Sequence, residues 1–255
     1  MKILHVSDLH FTEQWYHWLS NDAPAHDLLV ISGDLLDLHH VTPRSKQIQW
    51  VSRWINSHPC HGCICSGNHD LEWDDRTDRW APAYWLRAFD NPLVWGDGRR
   101  VSLDGLSLLN ISCTTHPKGG EADIWVVHAP PTNTVVATRR NGRDAGDPDL
   151  VAPVRRHAPR VVLSGHVHEP IHWHERTEFT LYLNPGHTAG APFPNHILLQ
   201  TEDMSCQLFT AQRGEPMAFE IEEPIEAIEE DGVAPSTVCA AQASVFVTQS
   251  NPKQK

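Results

Sequence analysis

Aspartate, histidine and asparagine residues follow five short apolar segments of this sequence. The five polar clusters are Ser7-Asp8-Leu9-His10, Ser32-Gly33-Asp34, Ser66-Gly67-Asn68-His69-Asp70, His128-Ala129-Pro130-Pro131 and Ser164-Gly165-His166-Val167-His168. Carboxylate, imidazole and amide groups supply the oxygen and nitrogen donors that bind divalent transition metals. Metal ions held in this way activate water, so the residue types indicate metal-assisted hydrolytic chemistry.

The segments that precede these clusters have the pattern of buried strands. They are short, continuous and rich in β-branched residues, which favours strands that are buried on both faces of a sheet. The predicted strands are Lys2–Val6, Leu28–Ile31, Cys63–Cys65, Ile124–Val127 and Val161–Leu163. Because ligands bind beyond the carboxyl ends of strands in open α/β sheets, we expect the five clusters to converge on one site.

Helices and further strands are predicted around this framework. Apolar residues at helical spacing predict a helix at Arg44–Asn56 and weaker helices at Trp80–Phe89 and Asp149–His157, whereas Phe11–Asp22 is interpreted as a loop. Four strands are predicted after His168, and we expect them to form a second, more antiparallel sheet. Their bounds are Ile171–His174, Phe179–Asn184, Asn195–Gln200 and Gln207–Thr210.

Length and composition predict one catalytic domain at residues 1–213, because 255 residues suffice for a single α/β domain. Glu220–Asp231 contains seven acidic residues and no basic residue. Residues 214–255 are therefore expected to be a C-terminal tail that is disordered or docked peripherally on the domain.

Charge and hydropathy restrict the partners and the compartment. A net charge of −12 disfavours extended duplex nucleic acid as a partner, because such binding needs a broad basic surface. Neither a signal peptide nor a membrane span is indicated. The six cysteines are scattered unevenly, unlike a secreted disulfide framework, so we expect a cytoplasmic protein with reduced thiols.

In sequence order, the five polar clusters resemble the five-block signature of calcineurin-like metallophosphoesterases. The blocks are Asp8-x-His10, Gly33-Asp34, Gly67-Asn68-His69-Asp70, His128 and Gly165-His166-x-His168, and Asn184-Pro185-Gly186 is a weaker supporting feature. Each block alone is weak, whereas five in order after predicted strands form a strong signal. The resemblance covers residues 1–210 and implies the fold of small, single-domain bacterial-type members, which is an α/β sandwich of two packed mixed sheets flanked by helices.

The resemblance also implies two divalent metal ions. Two ions about 3.5–4 Å apart need a bridging carboxylate, for which Asp34 is the natural candidate. The remaining implied ligands are Asp8, His10 and His168 for the first ion, and Asn68, His128 and His166 for the second. Imidazole and carboxylate donors suit manganese, iron or zinc and do not select among them.

His69 resembles the histidine that faces the substrate phosphate in this family. We expect it to stabilise or protonate the leaving oxygen while Asp70 orients its ring, although a third histidine ligand or a structural contact is the alternative. Arg139 and Arg140 lie in the loop after His128. They are candidates to bind a second phosphate or another anionic end of the substrate, and the alternative is a solvated basic loop.

The resulting expectation is an enzyme that hydrolyses a small phosphate ester with a metal-bound hydroxide, with phosphodiesters slightly preferred. Nucleotides are among the candidate substrates. The alternatives are a phosphomonoesterase, a nucleotide pyrophosphatase or a non-catalytic protein-binding scaffold of the same fold. The presence of every implied ligand favours the enzyme, because function is argued from the site and not from the fold.

Some cysteines and histidines fall outside this pattern. Cys60-x-x-Cys63-x-Cys65 leads into a predicted strand and has no second paired cysteine motif, so we interpret it as core packing and not as a zinc or redox site. No role is assigned to a further set of histidines, His157, His172, His174, His187 and His196.

Overall fold

The computed structural model describes residues 1–114, 120–212 and 215–220. The helices in these ranges are α1 (Glu13–Asn21), α2 (Arg44–Ser57) and α3 (Val151–His157). The strands are β1 (Lys2–Val6), β2 (Leu28–Ser32), β3 (His61–Cys65), β4 (Glu72–Asp74), β5 (Arg79–Ala81), β6 (Val94–Trp95), β7 (Arg100–Leu103), β8 (Leu106–Asn110), β9 (Ile124–Val126), β10 (Val161–Leu163), β11 (His174–Arg176), β12 (Leu181–Leu183), β13 (His196–Gln200), β14 (Cys206–Gln212) and β15 (Glu215–Glu220).

Two large mixed sheets organise these elements. The first has the order β15-β14-β13-β1-β2-β3-β6, in which β1, β2, β3 and β6 are parallel and β13 pairs antiparallel with β1. The second has the order β11-β12-β10-β9-β8-β7, in which β8, β9, β10 and β12 are parallel. β4 and β5 form a separate hairpin.

The two large sheets pack against each other through a shared apolar core. Val30 and Cys63 of the first sheet belong to the same buried group as Ile124, Val126 and Leu163 of the second. Burial on both faces explains why these strands are continuous apolar runs, because helices cover the side of each sheet that faces away from this core. The structure confirms the predicted α/β sandwich of two packed mixed sheets.

Helices cover the outer faces of both sheets. Trp15 and Tyr16 of α1 and Ile55 of α2 pack with Leu29 and Ile31 on the outer face of the first sheet. On the second sheet, α3 contributes Val154 to a group that contains Trp125 and Val162. This packing leaves the carboxyl ends of the parallel strands uncovered by helices α1–α3.

Several secondary-structure predictions need correction. The predicted loop Phe11–Asp22 contains α1, and the predicted helix Trp80–Phe89 is replaced by the end of the β4–β5 hairpin and a 3₁₀ turn at Tyr84–Arg87. The strands after His168 do not form a sheet of their own. Instead, β11 and β12 extend the second sheet, whereas β13 and β14 extend the first. The residue pattern identified strands here but not their partners, which tertiary packing decides.

The first sheet continues beyond the predicted end of the domain at residue 213. β15 pairs with β14 over six residues, from Gln207–Glu220 to Gln212–Glu215. The chain divides into a compact unit of residues 1–221 and a remainder, residues 222–255, which lies outside the described residues. None of the helices in the described ranges is both long enough and apolar enough to cross a membrane.

We expect a chain that ends at Ile221 to retain its hydrolytic rate, because every candidate site residue lies between Asp8 and His168. Rates and thermal melting of the shortened and full chains test this prediction. A chain that ends at Arg213 is the matched control, since it also removes β15 and should melt at a lower temperature. Loss of folded protein on removal of residues 222–255 alone would contradict the prediction.

Candidate active site

The five polar clusters lie together where the two sheets meet at the carboxyl ends of their parallel strands. β1, β2 and β3 of the first sheet end before Asp8, Asp34 and Asn68. β9 and β10 of the second sheet end before His128 and the pair His166 and His168. We name these six residues, together with His10, which follows Asp8 and Leu9, the strand-end cluster. Their convergence is what the strand pattern predicted.

One half of the strand-end cluster is built around Asp8, whose side chain is fully buried. Its Oδ1 atom lies 3.5 Å from Nε2 of His168 and 3.9 Å from Nε2 of His10. The same two imidazole nitrogens are 3.1 Å apart. The backbone N–H of His166 donates to Asp8 Oδ2 at 3.0 Å, so this carboxylate also connects the ends of β1 and β10.

The other half is built around Asp34 and His128. His128 Nε2 lies 3.4 Å from Asp34 Oδ2, 3.0 Å from Asn68 Oδ1 and 3.2 Å from His166 Nδ1. Asp34 Oδ1 accepts the backbone N–H of His69 at 2.8 Å. Four side chains from four different strand ends therefore point at one small volume.

The backbone adopts unusual conformations to bring these groups together. Asp8, His10, Asp34 and His166 have φ values of 53°, 44°, 53° and 65°, in the left-handed region that non-glycine residues rarely occupy. Local strain of this kind persists where the surrounding structure enforces it, and it is concentrated at functional sites. Gly67 is required for another reason, because a Cβ atom there would collide with the Asp34 carboxylate.

The orientation of His128 suits a metal ligand. Its Nδ1–H donates to the Ser32 carbonyl at 2.9 Å, which directs Nε2 towards the centre of the cluster. Histidine ligands commonly donate their second ring N–H to a carbonyl or carboxylate, which fixes the ring. His187 Nδ1 donates in the same manner to the Asp8 carbonyl at 2.9 Å.

The electrostatics of the cluster favour positive charge. Burial by itself lowers the pKa of His128, but the nearby Asp34 and Asp8 carboxylates outweigh burial and raise this pKa to about 10. Burial raises the pKa of Asp8, yet hydrogen bonding to His168 and the charge of His128 hold it well below the usual value. Two buried carboxylates therefore require neighbouring positive charge, which divalent cations would supply.

The donor set fits divalent metal ions. Potential ligand atoms lie within 4.8 Å of one another in three overlapping groups, which are Asp8, His10 and His168; Asp8, Asp34 and His128; and His10, Asp34 and His69. Asp8, His10 and Asp34 each occur in two of these groups, so the three groups form one continuous set of donors. The bridging role of Asp34 stays a prediction. The assignment of seven ligands to two ions stays a prediction.

His69 lies beside the strand-end cluster and is half-buried. The backbone N–H of Leu38 donates to its Nδ1 atom at 3.3 Å, which leaves the proton of the neutral ring on Nε2. Its ring centroid is 4.6 Å from that of His10. Burial lowers the pKa of His69, against the opposing charge of Asp34, so the ring is neutral near pH 7.

Asp70 makes different contacts from those expected. Its fully buried carboxylate accepts three backbone N–H groups, from Leu35 at 3.2 Å, Leu36 at 2.9 Å and Gly67 at 2.8 Å. In the described part of the chain, the carboxylate within 4.0 Å of a His69 ring nitrogen is that of Asp37, at 3.9 Å. Asp70 thus organises the two loops that carry Asp34 and Asn68, and it does not orient the His69 ring.

We expect Asp70→Asn to destabilise the fold by about 1–3 kcal/mol, because an amide nitrogen would face a backbone N–H that has lost its acceptor. Urea unfolding of the variant measures this change. The exposed substitution Asp75→Asn is the control and should leave the free energy of unfolding unchanged. Full stability combined with a large rate loss would instead assign Asp70 a chemical role.

A large cavity opens above the strand-end cluster. Its volume is about 840 Å³, and Arg139 and Arg140 line it together with Asn141 and Glu169. Both arginines are exposed, so their guanidinium groups are free to meet a ligand. The loop after His128 therefore contributes one wall of the cavity, and a role for these arginines in substrate binding stays a prediction.

His187 is a cavity-lining residue to which sequence analysis assigned no role. Its ring lies 4.7 Å from that of His168 and 5.3 Å from that of His10, measured between centroids. Burial, with further effects of His168 and His10, lowers its pKa to about 4, so the ring is neutral near pH 7. The available signal was its position directly after the Asn184-Pro185-Gly186 turn.

The chain belongs to the calcineurin-like phosphoesterase family, because the family model matches residues 1–170 and thus most of the chain. All seven residues of the strand-end cluster lie in the matched region. Family membership and the cluster together support metal-dependent hydrolysis of phosphoesters. No curated protein matches the chain.

Solved structures with similar folds share little sequence with the chain. One crystal structure has a TM-score of 0.56 and 15% identity and covers 81% of this chain and 97% of its own. Vacuolar Protein Sorting 29 from Cryptosporidium parvum has a TM-score of 0.45 and 14% identity, with coverage of 86% and 96%. The phosphoesterase Yfce from E. coli has a TM-score of 0.43 and 16% identity, with coverage of 87% and 98%. The first comparison shows a shared fold, whereas the two lower scores support no conclusion about activity.

Proposed function

We propose that this protein is a phosphodiesterase that hydrolyses a small phosphate ester at a dinuclear metal centre. The convergence of the strand-end cluster carries the proposal, since seven side chains that could bind metal come together from five strand ends. Four of them line the cavity, namely Asp34, Asn68, His166 and His168. A structural role would not require imidazole nitrogens 3.1–3.2 Å apart beside two buried carboxylates. Nitrogen and oxygen atoms that converge on one point in this way resemble the ligand shell of a metal ion.

Asp8, His10 and His168 would hold one ion, Asn68, His128 and His166 the other, and Asp34 both. When bound, the two ions would supply an activated water molecule and neutralise charge on the phosphoryl oxygens. The neutral amide of Asn68 keeps the centre cationic enough to attract a phosphate. Manganese, iron and zinc all suit these ligands.

His69 would stabilise the leaving group. Because Leu38 N–H donates to Nδ1, the ring presents a protonated Nε2 atom. His69 lines the same cavity as Asp34 and Asn68, so this proton is within reach of a phosphate ester that is bound there. This N–H donates a hydrogen bond to the departing oxygen and stabilises the negative charge that develops on it as the ester bond breaks.

The size and charge of the cavity support a substrate larger than a phosphate monoester of a small alcohol. A volume of about 840 Å³ leaves room for organic groups on both sides of a phosphate. Arg139 and Arg140 line the same cavity as His69, and a guanidinium fork can bind an anionic group bidentately. This arrangement suits a phosphodiester of nucleotide type.

The proposal is tested with metal-reconstituted protein and matched pairs of substrates. Bis(4-nitrophenyl) phosphate is compared with 4-nitrophenyl phosphate, and nucleoside 2′,3′-cyclic phosphates are compared with nucleoside monophosphates and dinucleotide pyrophosphates. We expect faster hydrolysis of the diester in each pair and loss of activity on chelation. Preference for the monoesters or pyrophosphates would contradict the diester assignment. Absence of metal-dependent hydrolysis across the whole panel would favour a binding scaffold.

A further inference from the structure

Two histidines and a cysteine meet at the edge of the first sheet opposite the strand-end cluster. His26 precedes β2, whereas His58 and Cys60 lie between α2 and β3. One ligand atom from each residue lies within 4.8 Å of the other two. β2 and β3 are five residues long, so this amino-edge cluster is about 17 Å from the candidate active site along the strands.

His58 is buried without a polar partner, which is costly for an imidazole. The residue is 6% exposed, and neither of its ring nitrogens has a hydrogen-bond partner in the described ranges of the chain. His26 is held by its Nδ1 atom, which donates to the Pro24 carbonyl at 2.7 Å. Its other nitrogen, Nε2, is buried and likewise unpartnered within those ranges. Buried polar atoms without partners demand an explanation, such as an ion that they coordinate.

The remaining neighbours of His58 do not provide that partner. Its ring lies 5.1 Å from that of Trp54, tilted by 39°, and Asn91 contacts only its backbone carbonyl, at 2.8 Å. Cys60 is a free, half-buried thiol. Cys63 and Cys65, by contrast, are buried in the apolar core between the sheets. The core-packing interpretation therefore describes Cys63 and Cys65, whereas Cys60 lies beside two histidines.

We propose that His26, His58 and Cys60 form a second, mononuclear metal site for a zinc-like divalent ion. Imidazole and thiolate are the donors of structural zinc sites, in which bonds of about 2.0–2.3 Å place ligand atoms about 3.3–3.8 Å apart. The present separations of up to 4.8 Å require the side chains to close by at most about 1.5 Å. A water molecule would complete the tetrahedral shell.

The expected role of this ion is to fasten two connecting segments of the sheet. His26 belongs to the segment that enters β2, and the other two ligands belong to the segment that enters β3. An ion that binds the folded chain and not the unfolded one stabilises the fold more as its free concentration rises above its Kd. The site is independent of the proposed hydrolysis, because it shares no residue with the strand-end cluster.

Cobalt titration of the metal-free full chain tests the site, because thiolate-bound Co²⁺ has a charge-transfer absorption that imidazole and carboxylate ligands do not produce. We expect a titration with three equivalents of Co²⁺, enough for this site and for both positions of the strand-end cluster, to generate this band in the natural protein and no band in Cys60→Ser. Cys113→Ser is the matched control, since Cys113 is also a free, half-buried thiol but lies elsewhere, and it should retain the band. Zn²⁺ should abolish the band by displacement.

His26→Gln provides a second variant that does not alter the thiol. It should weaken the Co²⁺ affinity, measured from the thiolate band, by more than about 100-fold. Loss of even an outer-shell partner of a ligand lowers metal affinity by about 10–100-fold. Absence of a thiolate band in folded natural protein, or an undiminished band in Cys60→Ser, would overturn the site. Failure of the proposed hydrolysis would leave these spectra unchanged, so the two proposals are tested separately.

Discussion

Replacement of Asp34 by asparagine should remove most of the metal from the candidate active site and abolish detectable hydrolysis. Asp34 is 2% exposed and belongs to two groups of potential ligands, with Oδ2 located 3.4 Å from His128 Nε2. Loss of one carboxylate charge between two cations weakens the binding of both. We expect a rate loss larger than the roughly 10²–10³-fold that removal of one charge-stabilising donor causes.

Elemental analysis and diester hydrolysis of Asp34→Asn, measured on the same sample, test this expectation. Asp37→Asn is the matched control, because Asp37 is a neighbouring carboxylate outside the strand-end cluster and its loss should leave the metal content intact. Circular dichroism establishes that both variants are folded. Normal metal content together with normal hydrolysis in Asp34→Asn would remove Asp34 from the metal centre.

His69→Ala should retain bound metal and lose about 10²–10³-fold in rate, which is the usual effect of removing one donor that stabilises developing charge. His69 accepts the Leu38 N–H at Nδ1 and lines the cavity, which is the arrangement of a hydrogen-bond donor beside the cluster. The loss should be smaller for 4-nitrophenolate leaving groups, because a stable anion needs little stabilisation as the bond breaks.

The test compares kcat and metal content on esters with good and poor leaving groups. His39→Ala is the control, since His39 is an exposed neighbour whose ring lies 6.2 Å from that of His69. Loss of metal in His69→Ala comparable to that in Asp34→Asn would identify His69 as a ligand, in agreement with its place in one of the three ligand groups. An unchanged rate would remove His69 from the reaction.

The framework that carries the site was predictable because its signals are local. A β-branched run buried on both faces of a sheet is apolar throughout, and the polar cluster that follows Val6, Ser32 or Leu163 marks the end of the strand. Parallel pairing then brings these ends to one edge. The family and the two-sheet sandwich were both predicted correctly on this basis.

The elements that sequence analysis missed depend on non-local contacts. α1 is only nine residues long, too short for its buried residues Trp15, Tyr16 and Leu19 to establish a helical period. β13 pairs with β1 across most of the chain, and an apolar pattern identifies a strand without naming its partner. The prediction that the C-terminal strands form a separate antiparallel sheet was therefore wrong.

Side-chain partners were the least predictable part of the site. Adjacency to His69 favoured Asp70 as its orienting carboxylate, but the 3₁₀ turn at Asn68–Asp70 directs the Asp70 side chain to the backbone of Leu35 and Leu36. His187 reaches the cavity from the turn after β12, which no local pattern specifies. Cys60 meets His26 only through the parallel alignment of β2 and β3.

Phosphodiester hydrolysis by this protein should require two metal ions bound by the strand-end cluster. The most direct measurement counts the metal ions per folded chain in Cys60→Ser, which lacks the proposed second site, and follows bis(4-nitrophenyl) phosphate hydrolysis in the same samples during stepwise reconstitution. We predict about two ions per chain, hydrolysis that rises with occupancy and complete loss on chelation. Fewer than about half an ion per chain after reconstitution with manganese, iron and zinc, or hydrolysis that persists without metal, would contradict the account.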